Sequence, residues 1–235
     1  MEGHSVVAPD EWLQARRALL AHEKDFTRQR QNLAKARQDL PWVRVTKSYE
    51  FAAVDGARLS LADLFGSRSQ LIVYHFMFGK TWTDGCKSCS FMADGFDGVE
   101  PHLRARDVSI VACSSAPPDK LDAYKRKLGW EFRWVSSLGD FNKDFHVTFE
   151  DAELPADYNF GTSKFHINEA PGFSVFYKDE KGNIFHTYST YARGLENFLL
   201  TYQFLDIVPK GRDEAHLDYP MTWIRRKYEY DHSPS

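Results

Sequence analysis

Cysteine is scarce in this sequence, three residues in 235, which excludes the dense disulfide framework of a small secreted scaffold. No charge of one sign dominates: 30 basic residues stand against 33 acidic ones, for a formal charge of −3. The chain therefore offers neither a basic stripe for a phosphate backbone nor an acidic tail, and nucleic acid is not an expected partner. Long apolar runs are missing too, none approaching the roughly 18 residues of a membrane span. The opening "MEGHSVVAPDEW" has no basic stretch leading into an apolar one, so the expectation is a protein without a membrane partner, located in the cytoplasm. Internal repeats and low-complexity segments are absent as well.

A chain of 235 residues has enough length for a full core, and one domain with extensions is expected. From Pro9 to Pro41 the sequence is rich in helix formers, with Asp10 expected as N-cap and Pro41 as stop; Trp12, Leu13, Leu19, Leu20, Phe26 and Leu33 form an imperfect apolar stripe. Next, "YEFAAVDGARLS" reads as a hairpin turning at Asp55-Gly56, followed by a short helix at "LADLF". The almost unbroken apolar run "QLIVYHFMF" fits a strand covered on both faces. A helix weakened by Gly95 and Gly98, the strand "VSIVACSS", a helix from "PPDKLDAYKRKLG" and the strand "WEFRWVSS" complete two β-α-β units. Residues 139–170 lack periodicity and read as an irregular insertion. "GFSVFYKDEKGNIFHTYST" reads as a closing hairpin, and "GLENFLLTYQFLDIV" as an amphipathic helix ended by Pro209. The expected division is an N-terminal helical extension over 1–44, a domain over 45–209 and a tail over 210–235.

Two cysteines, Cys86 and Cys89, stand where the buried strand gives way to a helix. Strand, helix, strand, helix, strand, insertion, hairpin and helix imply a mixed α/β sheet flanked by helices, and a thioredoxin-like fold fits this order. In that fold the first core strand delivers a Cys-x-x-Cys to a helix start, and a cis proline opens the closing hairpin; Pro171 stands in that place. The motifs "SLADLF", "LIVYHFMFG", "GCKSCSFMAD", "FDGVEPHLRARDVSIVA", "GWEFRWVSS", "FSVFYKDEKGNIFHTYSTYARG" and "PKGRDE" resemble the domain of unknown function 899 family across nearly the whole chain. The resemblance implies a thioredoxin-like fold and a dithiol-disulfide oxidoreductase.

The thiolate is the attacking form of a cysteine, so a redox cysteine needs a setting that lowers its pKa. Unpaired N–H groups at a helix start supply one, with Lys87 adding a little. Cys86 is then the outer, more exposed nucleophile and Cys89 the resolving thiol, exchanging electrons with a protein or small-molecule disulfide and needing no metal or organic cofactor. Zinc is a rival, but it wants a second ligand pair and only Cys113 and scattered histidines remain. A peroxiredoxin-like thiol peroxidase is another, because Thr83 has the Thr-x-x-Cys spacing to Cys86; Gly79 stands where that pattern has proline, and no arginine can be assigned. The third is a non-enzymatic binding or assembly module with an incidental pair.

Around the pair, Trp82 is placed to shield the thiols and Asp84 reads as a solvated loop acid. His75 reads as a core histidine or, if it faces the thiols, a proton shuttle. Cys113 reads as a small buried residue. Tyr188 and Arg193, in "FHTYSTYARG", are the next expected substrate contacts after Trp82, Thr83 and Pro171. The N-terminal helix and the aromatic tail offer apolar surface for a homodimer.

Overall fold

The computed structural model describes residues 3–150 and 152–232, with side chains to residue 230. The outermost parts of the expected 1–44 and 210–235 segments, and residue 151 of the insertion, lie outside the described residues. Two compact units emerge, one up to Pro41 and one from Trp42 onward.

In the first unit, helix α1 (Pro9–Gln38) begins two residues earlier than an Asp10 cap would set it: Ala8 is the N-cap and Pro9 opens the first turn. Proline suits that position because its missing N–H would have no intrahelical partner. Asp10 and Glu11 lie in the first turn and Lys35 and Arg37 in the last, each sign at the end of the backbone dipole that favours it. None of its residues is buried.

The second unit is built on β1 (Val43–Arg44), β2 (Glu50–Ala53), β3 (Arg58–Ser60), α2 (Leu61–Leu64), β4 (Gln70–His75), α3 (Lys87–Ala93), α4 (Phe96–Arg104), β5 (Val108–Ser114), α5 (Pro118–Leu128), β6 (Arg133–Ser137), α6 (Phe141–Asp144), β7 (Ala156–Tyr158), β8 (Ser163–Phe165), β9 (Gly172–Lys178), β10 (Ile184–Tyr191) and α7 (Leu200–Leu205). Ser60 and Asp63 close a reciprocal capping box on α2. Gly129, at φ +64°, ends α5 in the left-handed conformation that glycine adopts without a Cβ clash. The single helix expected over residues 89–106 is two, because the chain breaks at Asp94-Gly95 between α3 and α4; there the Asp94 carboxylate accepts the Trp130 indole N–H at 2.8 Å. The expected final helix is likewise a 3-10 turn over Ala192–Phe198 followed by α7.

One sheet runs β1-β10-β9-β4-β5-β6-β2-β3 among the described residues. β4, β5 and β6 are parallel, joined by α3–α4 and by α5, while β9 runs antiparallel beside β4 and β10 returns antiparallel to β9. The core order β10-β9-β4-β5, with helices covering the crossovers, is a thioredoxin-like fold. Residues 139–170 carry α6 and the separate β7–β8 ribbon, more order than an irregular insertion implies.

Period-two alternation divides β4 between two cores. Leu71 and Val73 join Val111, Cys113 and Val135 on one face. Tyr74 and Phe76 join Trp134, Leu121, Tyr124 and Cys89 on the other. Trp134 is 1% exposed, and truncation of such a side chain costs about 3–5 kcal/mol. The tail packs onto this second core: Ile224 is buried, and Trp223 meets Phe91 edge to face with ring centroids 5.7 Å apart. Glu214 anchors it, accepting hydrogen bonds from the Tyr202 hydroxyl and Trp223 indole, both at 2.6 Å, and from the Met221 N–H at 3.0 Å.

Candidate active site

β4 ends at His75, but the chain stays extended and buried through Phe78: the Phe76 N–H donates to the Cys113 carbonyl at 2.9 Å and the Phe78 carbonyl accepts from Ala116 at 2.8 Å. The loop then doubles back, and the Cys86 N–H donates to the Met77 carbonyl at 3.0 Å. Glycine makes this return possible. A Cβ at Gly79 would come within 2.8 Å of the Trp82 indole, and one at Gly85 within 2.7 Å of the Phe76 ring. Lys120 on α5 fixes the loop by donating to the carbonyls of Lys80 and Trp82, each at 3.0 Å.

Cys86 is thereby set as the N-cap of α3, half-buried, and Cys89 lies one turn on with 2% exposure. Both are free thiols. The Cys89 thiol hydrogen-bonds Cys86 and, together with the N–H groups of Cys89 and Ser88 and the Arg226 guanidinium, favours the thiolate over the opposition of burial; the Cys86 pKa falls to about 7. Cys89 is pushed well above the ordinary thiol value by burial and by the hydrogen bond and charge of Cys86, with the Tyr74 hydroxyl as a countering donor. The two thiols are therefore unequal, one poised to ionise near neutrality and the other held protonated.

Arg226 joins this site from the far end of the chain. Its Nε donates to the Tyr124 hydroxyl at 2.6 Å, one Nη to the Gly85 carbonyl at 3.0 Å and the other to Glu229 at 2.8 Å. Its side chain is only 10% exposed and lies 4.0 Å from the Asp84 carboxylate. Although burial disfavours its charge, the bonds to Tyr124 and Glu229 hold Arg226 protonated. Neither Arg226 nor Tyr74 was among the expected site residues. The arginine sits in a mixed-charge tail without periodicity, and the tyrosine in a run apolar on both faces, so nothing in the sequence marks either.

The other expected residues divide. Trp82 packs against the core that holds Cys86 and Cys89. Thr83 is exposed. Asp84 is the half-exposed loop acid noted above. Arg193 is exposed and paired with Glu196, at 2.6 Å, within its own 3-10 turn. Tyr188 is half-buried at an irregularity of β10, a strand separated from β4 by β9. His75 turns to the opposite face of the sheet from Tyr74, stacks on Phe141 and Phe145, and bonds Asn142 at 3.1 Å and Ser174 at 2.9 Å. Burial lowers its pKa to about 4, so the core reading of this histidine holds. Cys113 is fully buried on that same face, its thiol pushed up by burial.

The proline expectation needs correction. The cis peptide bond among the described residues is Leu154–Pro155, and the Ala170–Pro171 bond is trans. The residues around Pro171 already run extended before β9 begins: Thr148 bridges Glu169, Ala170 donates to the Val147 carbonyl at 2.8 Å, and Gly172 pairs with His75. The Pro171 carbonyl accepts the Tyr158 hydroxyl, whose oxygen in turn accepts from the Ala192 N–H at 2.9 Å.

Among the described residues no group of three or more His, Cys, Asp and Glu side chains is placed to hold a metal ion, and no helix is long and apolar enough to cross a membrane.

The sequence matches the family described as "Bacterial protein of unknown function (DUF899)" over residues 1–230, and the chain belongs to that family. No curated protein matches it. Solved structures resemble it at low identity. Peroxidoxin BcpB from Mycobacterium tuberculosis shares 14% identity at a TM-score of 0.44, covering 69% of this chain and 94% of that one. A PrxQ mutant from Xylella fastidiosa shares 13% at 0.43, covering 68% and 89%. BsSco, a member of the Sco family of cytochrome c oxidase assembly proteins, shares 16% at 0.40, covering 68% and 88%.

Proposed function

We propose that the chain is a thiol-disulfide oxidoreductase in which Cys86 attacks and Cys89 resolves. One observation carries this reading: a half-buried thiol, Cys86, takes a hydrogen bond from a buried thiol one turn along the same helix, with an arginine charge beside it. The Cys86 thiolate attacks one sulfur of a substrate disulfide, forming a mixed disulfide and expelling the other sulfur as a thiolate that takes up a proton. Cys89 then gives up its proton and attacks the Cys86 sulfur, closing the Cys86–Cys89 disulfide and releasing the second substrate thiol. Two electrons and two protons pass to the substrate, and a second dithiol returns them. A free dithiol of this kind suits a reducing compartment such as the cytoplasm.

Arg226 favours a second substrate for the same pair. A cation beside the nucleophile suits a peroxide, whose departing oxygen gathers negative charge; Cys86 would become a sulfenic acid, which Cys89 condenses to the disulfide with loss of water. Thr83, exposed to solvent, lends that reading no support. Titration of the pair against glutathione buffers, run beside reaction with peroxide, tests both. A reversible two-electron couple that disappears in Cys86→Ser is expected. The absence of any couple would sink both and leave a binding module with an incidental pair.

A further inference from the structure

Helix α1 raises a question that the thiol chemistry does not touch. A solvated helix has no need of large apolar side chains, yet Trp12, Leu19, Phe26 and Leu33 are between 51% and 60% exposed, each seven residues after the last. Leu40, the next residue in that series, is exposed just past the helix end. Seven is the repeat of a supercoiled pair of helices, because a straight helix drifts about 20° per heptad away from such a column. A helix that lies on a globular core shows instead a wide stripe at steps of three and four.

The residues flanking the column fix how it can pair. If it occupies position a of the heptad, position d holds Ala15, His22, Gln29 and Ala36, with no Asp, Glu, Lys or Arg among them. If it occupies d, position a receives Arg16, Glu23 and Arg30, and the seam would bury charge. With the first assignment, Glu11, Ala18, Asp25 and Asn32 stand at g, and Arg16, Glu23, Arg30 and Arg37 at e. In a parallel pair each g residue faces the partner's e residue five positions on. Glu11 then meets Arg16 and Asp25 meets Arg30, each twice by symmetry. An antiparallel pair would set g against g and e against e, bringing acids to acids and arginines mostly to arginines. In the single chain Arg16 pairs with Glu23 and Asp25 with Arg28, so the intermolecular pairs exchange partners. Their effect is on orientation more than on strength. Leu13 and Leu20 lie at b, outside this seam.

We propose that α1 forms a parallel two-stranded coiled coil with α1 of a second copy of this chain, the Trp12–Leu19–Phe26–Leu33 column facing its counterpart. Light scattering on the full chain at micromolar concentration should return twice 27.2 kDa. Leu19→Lys with Phe26→Lys should return the single mass while Cys86 is alkylated at the wild-type rate, which reports that the second unit is still folded. Leu13→Lys with Leu20→Lys should leave the dimer intact. In a Cys86→Ser, Cys89→Ser background, Leu33→Cys should cross-link to its own copy on oxidation, since only a parallel, in-register pair apposes the two positions near one end. A wild-type mass of 27.2 kDa, a dimer indifferent to the Leu19/Phe26 change, dissociation by the Leu13/Leu20 change, or the absence of the Leu33→Cys cross-link would each overturn the proposal.

Discussion

Arg226 donates to the carbonyl of Gly85 at 3.0 Å, across 141 residues of sequence. Gly85 immediately precedes Cys86, so this bond ties the tail to the residue that leads into the proposed nucleophile. The same guanidinium favours the Cys86 thiolate, and the tail is thus part of the site.

Removing that charge in Arg226→Gln should raise the Cys86 pKa by about half to one unit. At pH 7 the rate of alkylation should fall about two- to five-fold, in proportion to the lost thiolate. Arg226→Lys should recover most of it. Above pH 9.5 or so, where Cys86 is ionised in every variant, the rates should converge. A deficit that persists there would assign the arginine to access rather than to ionisation.

Cys86 should be the first thiol labelled at neutral pH, with a rate that rises through a midpoint near its pKa of about 7, while Cys89 and Cys113 stay protected. Cys89→Ala removes the donor thiol, so the midpoint should shift upward, and a mixed disulfide should accumulate on Cys86. No adduct should form in Cys86→Ala. Peptide mapping that finds Cys89 labelled first would reverse the assigned roles.

How far the sequence disclosed this site depends on the residue. β4 and the cysteine pair were legible because a strand covered on both faces leaves an almost unbroken apolar run, and the two-residue spacing of the cysteines is read directly from the sequence. The direction in which each β4 side chain points was not, since the same apolar run hides the alternation that sends Tyr74 to Cys89 and His75 to the opposite core. Helix boundaries failed where a tertiary bond outweighed local preference, as at Asp94, whose carboxylate takes the Trp130 indole. Pro171 leads into β9 with a trans bond rather than the expected cis one, and the extended pairing that precedes it leaves no mark in the sequence. "PKGRDE" stood out among the family motifs with no role attached; in the structure its Arg212 and Glu214 anchor the tail that brings Arg226 to Cys86.

The two glycines Gly85 and Gly98 should respond oppositely to alanine. A Cβ at Gly85 meets the Phe76 ring at 2.7 Å and the Tyr124 ring at 3.1 Å, and both rings are packed against Trp134. Gly85→Ala should lose about 1–3 kcal/mol by overpacking. At Gly98, inside α4, nothing lies within 4 Å, so Gly98→Ala should gain about 0.5–1 kcal/mol from the lower entropy of the unfolded chain. Denaturant midpoints measure both, and equal effects would remove the steric account of Gly85.

Glu169 should make stability depend on pH. It is 2% exposed, and burial raises its carboxyl pKa from 4.5 to about 7; the Ser115 and Thr148 hydroxyls oppose that shift, the Glu150 charge adds to it and the Lys80 charge subtracts. One oxygen accepts from Thr148 at 2.9 Å, and the other has no hydrogen-bond partner. Between those two pKa values the folded chain keeps a proton that the unfolded chain has released, so the free energy of unfolding falls as pH rises. The stabilisation is whole below about pH 4.5 and is lost as pH climbs through about 7, amounting to about 3 kcal/mol at most. Glu169→Gln mimics the protonated acid at every pH and should flatten this part of the profile, with the largest gain over wild type near pH 8 and little difference near pH 5. Thermal unfolding of both chains across that range measures the slope, and parallel profiles would mean that Glu169 ionises freely in the folded state.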